Sequence, residues 1–138
     1  MFSCKVISSK FLISNLNIVK FKSCFVNKDD ENDGNQPMNM RTGRFTAPKE
    51  GFYEFHFYGN GVNGKDTEIA VLANGITKLK SFLDADTNNA YDFLQLSFHC
   101  ILYLGKDDYI QLKVAEGELW AHDDLESVFT GKLVQKMK

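Results

Sequence analysis

No apolar run in this sequence approaches the roughly 18 residues that a membrane-spanning helix needs. The longest, Phe98-His99-Cys100-Ile101-Leu102-Tyr103-Leu104, is far shorter, so no membrane insertion is expected. Lys5 and Lys10 interrupt the apolar start of the chain, so it does not read as a secretory leader. The expectation is an intracellular protein or a domain of a longer secreted one. A basic excess is also missing: net charge is -2, which argues against a surface made to neutralise phosphates and against nucleic acid as a partner. Cysteines are few. Cys4, Cys24 and Cys100 are an odd count, allowing at most one internal pair. Their spacings are far from CxxC, which argues against a zinc site or a redox motif. There is no N-x-[ST] sequon to mark a glycosylated surface. G-x-S-x-G, GxxxxGK[ST], HExxH and a Cys-His nucleophile spacing are all lacking, so the chain does not read as an enzyme.

What is present is β-sheet sequence. A chain of 138 residues with 43% hydrophobic and 25% charged residues fits one domain, 1–138, able to bury a core. Twelve Phe, five Tyr and one Trp stand out, proline is limited to Pro37 and Pro48, and long helix-period stretches are missing. Alternation of apolar and polar residues predicts half-buried strands. Over 94–104, Leu94, Leu96, Phe98, Cys100, Leu102 and Leu104 share one face; Gln95, Ser97, His99 and Tyr103 share the other, with Ile101 the exception. Ile110, Leu112 and Val114 alternate with Gln111 and Lys113 after the break at 105–108, and the two runs read as a hairpin. Tyr53, Phe55 and Phe57 mark a strand over 52–58, and Ile69, Val71 and Ala73 one over 68–73. Asn74-Gly75 then supplies a tight turn, since both residues tolerate positive φ. Val19, Phe21 and Phe25 predict one face of a strand at 18–26; Phe129, Gly131 and Leu133 predict another at 128–135. Segment 2–8 is a further candidate. Seven or more short strands mean a sandwich or barrel. Residues 28–37, 59–67, 84–92 and 121–127 read as loops.

Several stretches fall in an order that resembles the globular heads of complement C1q and its relatives. Arg44-Phe45-Thr46-Ala47-Pro48 followed by Gly51-Phe52-Tyr53-Glu54-Phe55 resembles that family's FTAP entry and G-x-Y-x-F strand. Val71-Leu72-Ala73-Asn74-Gly75, the runs Leu102–Leu104 and Ile110–Leu112, the closing Glu126-Ser127-Val128-Phe129-Thr130-Gly131-Lys132-Leu133, and the opening Phe2-Ser3-Cys4 all resemble family patterns. The resemblance covers nearly the whole chain. Asp107 stands where the family has the glycine of a GD turn, Gln111 where it has tryptophan, and Lys132 where it is often apolar. The resemblance implies an all-β jelly-roll β-sandwich of about ten antiparallel strands, usually a homotrimer. It implies a secreted, non-enzymatic recognition module that binds a carbohydrate, a microbial surface or a protein receptor, as in innate immunity. A cerebellin- or caprin-type interaction module and a tumour-necrosis-factor-like cytokine are the alternatives. Avidity from three linked sites would suit such a head.

Some relatives hold calcium through aspartates before the long strand. Asp86 falls on one such position and Asp92 lies near a second, displaced by two; hard carboxylate oxygens suit Ca²⁺, and no other cofactor is expected. The plainer alternative is a polar turn. Asp84, Trp120, His122, Asp123 and Asp124 are loop candidates for ligand contact, with Trp120 equally suited to the core rim. Asp29-Asp30-Glu31-Asn32-Asp33-Gly34 fails the EF-hand pattern, with Glu31 at its third position and Met40 at its twelfth, and reads as a solvated loop. His56 and His99 sit on outward strand faces without a metal-ligand partner at recognisable spacing, and read as ordinary surface or interface residues. Cys100 reads as a small buried hydrophobe. Pairing of the first strands would bring Cys4 near Cys24, leaving both a disulfide and free thiols open.

Overall fold

The computed structural model describes every residue except 8–11, 15, 30, 32–33, 63–65, 84–92, 122–126 and 138. The described residues form β1 (Phe2–Ile7), β2 (Leu12–Ser14), β3 (Lys20–Asn27), β4 (Met38–Asn39), β5 (Arg44–Thr46), β6 (Gly51–Val62), β7 (Thr67–Ala73), β8 (Ile76–Leu83), β9 (Phe93–Leu104), β10 (Tyr109–Glu116), β11 (Glu118–Trp120) and β12 (Val128–Lys136). They make two antiparallel sheets. The first has the order β2-β11-β6-β12-β1-β3, with β9 also pairing β6; the second has the order β4-β5-β10-β7-β8. The architecture is the all-β jelly-roll sandwich expected. Short β2, β4 and β11 bring the strand number above ten.

Alternation decides which side chains meet between the sheets. On β6, Tyr53, Phe55 and Phe57 are buried while Phe52, His56 and Tyr58 are exposed. On β10, Ile110, Leu112 and Val114 are fully buried. Aromatic rings from several strands interlock. Phe2 lies 4.9 Å from Phe45 and 5.1 Å edge-on from Phe129, and Phe55 stacks on Phe129 at 5.8 Å. Such pairs add to the area they bury. Gly131 makes this packing workable: a Cβ there would stand 2.7 Å from Cζ of Phe2 and 2.9 Å from Cδ1 of Phe55. Asn74 and Gly75 take φ of 51° and 82°, and the β7–β8 hairpin turns on them as the dipeptide predicts.

The structure corrects several expectations. β9 and β10 are not a hairpin. β9 pairs β6 in the first sheet, whereas β10 pairs β5 and β7 in the second. The turn at 105–108 carries the chain from one sheet to the other, which alternation within each strand cannot reveal. The glycine-rich segment from 59 is not loop at its start: Gly59, Asn60 and Gly61 continue β6, paired with Leu96, Gln95 and Leu94. Glycine fits because side chains already occupy the space, with Cζ of Phe57 2.7 Å and Oγ of Ser127 2.9 Å from where a Gly59 Cβ would stand. Phe25 does not share the core face of Val19 and Phe21. The β1–β3 register shifts twice, between Ser3 and Cys4 and between Lys5 and Val6, and Phe25 ends exposed. Nor is the acidic segment wholly solvated. Asp29 is buried, accepting hydrogen bonds from the Glu31 backbone and Lys49 Nζ. Cys4 and Cys24 lie opposite each other in β1 and β3 and form a disulfide. Cys100 is free and half-buried rather than fully buried, and burial pushes its thiol pKa up.

Candidate functional site

The outward face of the first sheet gathers most of the chemistry that the core does not use. β6 and β9 pair along their whole length, setting Phe52 opposite Tyr103, Glu54 opposite Ile101 and His56 opposite His99. β12 adds Lys132 beside Glu54 and Thr130 beside His56. Side chains two apart on one strand share a face about 7 Å apart, directly opposite ones lie about 5 Å apart, and diagonal neighbours such as Glu54 and His99 stay within reach of long side chains. Glu54, His56 and His99 therefore meet by register alone.

Their geometry is compact. Nε2 of His56 lies 2.6 Å and Nε2 of His99 3.2 Å from the same oxygen, Oε1 of Glu54. The two imidazole rings stack with centroids 4.3 Å apart. Lys132 Nζ stands 4.0 Å from the other oxygen, Oε2. The hydrogen bond with His56 holds the Glu54 carboxyl below its usual range; burial opposes it, and the charges of Lys132, His56 and His99 add to it. The histidines are about half exposed and Glu54 is mostly covered. A shallow groove runs over the pair between Tyr58, Ser97 and Thr130.

Apolar side chains surround this polar centre. Phe52, Tyr58, Ile101, Tyr103 and Val134 are 38–53% exposed. Phe52 and Tyr103 meet edge to face at 5.7 Å. The Tyr103 hydroxyl donates to Glu50, and that bond raises the phenol pKa. Ile101, the residue that broke the alternation in the sequence, points outward with this group.

The residues singled out from the sequence fare differently. Asp84, Asp86, Asp92, His122, Asp123 and Asp124 lie outside the described residues. Trp120 ends β11 half-buried, its carbonyl accepting a hydrogen bond from Ser127 Oγ, a rim position. His56 and His99, read as lacking a partner, instead share Glu54. Glu54 and His56 are separated by one residue, a visible signal, but His99 joins them only through the β6–β9 register.

Comparison with known proteins agrees with the fold. The chain matches the C1q domain over residues 1–134. Among solved structures, the globular domain of zebrafish complement 1qA superposes with a TM-score of 0.72 at 20% identity, covering 99% of this chain and 98% of that one. The Eiger TNF of S. frugiperda superposes at 0.69 and 10% identity over 99% and 95%; murine APRIL at pH 5.0 superposes at 0.60 and 11% over 96% and 100%. No curated protein matches the sequence. The fold is thus the jelly roll shared by C1q heads and TNF-type proteins. The chain belongs to the C1q domain family. That class of domain is a recognition and binding module.

Proposed function

We propose that this chain is a secreted, non-catalytic recognition head that works as a homotrimer and binds a glycan, a microbial surface component or a protein receptor. The observation that carries the reading is the outward face of the first sheet, where Phe52, Tyr58, Ile101, Tyr103 and Val134 are exposed together. Large apolar side chains exposed together around a polar centre mark an interaction site, and a closed ring of copies covers it. The Cys4–Cys24 disulfide supports an oxidising compartment, because such bonds persist outside the cytosol. In this reading Trp120 and the loop residues Asp84, His122, Asp123 and Asp124 make the ligand contacts. Calcium at Asp86 and Asp92 rests on the family resemblance alone.

The test is solution mass by sedimentation, with and without calcium, for the native chain and for Ile101→Asp. A trimer that falls to a monomer in the variant supports the reading; a native monomer overturns the assembly. A melting temperature that rises with calcium supports the Asp86 and Asp92 site, since a ligand that binds only the folded state stabilises it. Glycan and lipopolysaccharide arrays then decide the ligand class, and a folded trimer that binds neither removes the lectin-like form in favour of a protein receptor.

A further inference from the structure

We propose that Glu54, His56 and His99 form a binding site for a divalent transition-metal ion of the zinc class. Three coordinating atoms, one from each side chain, lie within 4.8 Å of one another. Two imidazole nitrogens and one carboxylate oxygen are a donor set that zinc takes readily, whereas calcium and magnesium select oxygen. Tetrahedral zinc with ligands near 2.1 Å needs them about 3.4 Å apart. The His99 to Glu54 separation of 3.2 Å already meets that, and the His56 to Glu54 separation of 2.6 Å must open by less than an ångström.

The site is organised before any ion arrives. Both histidines sit at paired positions of two long strands, and Glu54 lies two residues from His56 on the same face. Both Nε2 atoms converge on one oxygen, Oε1. A purely structural role accounts poorly for this. Exposed ion pairs contribute little to stability, and one carboxylate oxygen shared by two rings satisfies Glu54 no better than one ring would. Lys132 approaches Oε2, not Oε1, so its ammonium stands beside the chelate and not within it. Three protein ligands leave a fourth tetrahedral position for a water molecule. The site lies on the sheet face that the proposed trimer covers, so the titration is read beside the sedimentation mass, and one zinc per chain is the expected result in either state.

The experiment is calorimetric titration of the untagged, chelator-treated full chain with zinc chloride, with cobalt(II) absorption as a second readout. The expected result is one saturable zinc per chain and a tetrahedral cobalt spectrum, with calcium in excess failing to compete. His99→Ala and His56→Ala each lower affinity at least tenfold. Glu54→Gln weakens it, and Lys132→Met leaves or tightens it. His122→Ala and Cys100→Ser are controls that retain binding, because the chain has three histidines and Cys100 is its one free thiol. Circular dichroism confirms that each variant folds, and His99→Gln provides a conservative second variant. No saturable zinc on the native chain overturns the proposal. So does stoichiometric binding that survives the His56→Ala/His99→Ala double variant.

Discussion

Lys49 reaches back across 20 residues of chain to place its Nζ 2.8 Å from Oδ1 of Asp29, both side chains largely covered. Tyr53 locks the same turn, its hydroxyl donating to the Lys49 carbonyl at 2.6 Å. The acidic segment is thereby tied to the turn that leads into β6.

The Asp29 carboxyl is held at about 2, first by the Lys49 ammonium and then by the Glu31 backbone N–H. A depressed folded-state pKa stabilises above the unfolded value of 3.8 and loses that contribution as pH falls toward 2. Asp29→Asn is expected to cost about 1–2 kcal/mol at pH 7. The difference from native should shrink between pH 4 and pH 2, as read by urea unfolding at each pH. A gap that stays constant across that window would rule out the ion pair as its cause.

Asp107 is the third residue of the turn 105–108 and has φ of 70°. Asp108 N–H donates to Gly105 O at 3.1 Å across that turn. A positive φ at this place favours glycine, the residue the C1q pattern carries there. Asp107→Gly should relieve roughly 1 kcal/mol of backbone strain, part of it offset by unfolded-chain entropy. A rise in the urea midpoint is expected, with a fall for Asp107→Val. A lower midpoint for the glycine variant would mean that the carboxylate itself holds the turn.

The disulfide joins β1 to β3 near the chain's start. Removing it by Cys4→Ala/Cys24→Ala should cost roughly 2–4 kcal/mol. Cys100, its pKa raised by burial, should react slowly with a thiol reagent in the native chain. Titration is expected to find one thiol after unfolding and three after unfolding with reductant. Two or more thiols without reductant would disprove the bond.

Much of the sandwich is legible in the sequence because half-buried strands advertise themselves by alternation. The buried sets of β6, β7 and β10 could be named, as could Leu96 and Leu104 on β9 and Phe129 and Gly131 on β12; Phe98, Cys100, Leu102 and Leu133 are only partly covered. β8 could not. Its apolar Ile76 and Phe82 face solvent while Leu79 and Leu83 are only half-covered, so no clean alternation remains. Strand neighbours were the harder matter. Nothing within 94–114 says that the turn changes sheets, and nothing near Phe25 announces a shifted register. The histidine cluster failed for the same reason: spacing along the chain cannot report a pairing across it. Glu54-x-His56 is readable, but His99 becomes relevant only once β6 and β9 are aligned.

One pairing also governs when the protein can be made whole. Phe2 lies opposite Gly131, and its ring fills the space that Gly131 leaves empty. Within this domain β1 precedes β12 by more than 120 residues, so it has no neighbour on its β12 side until β12 is available. Contacts of such long sequence separation are slow to form, and exposed strand edges invite aggregation while they wait. Closure of the first sheet thus waits on β12, and until then β1 can pair only with β3 on its other side.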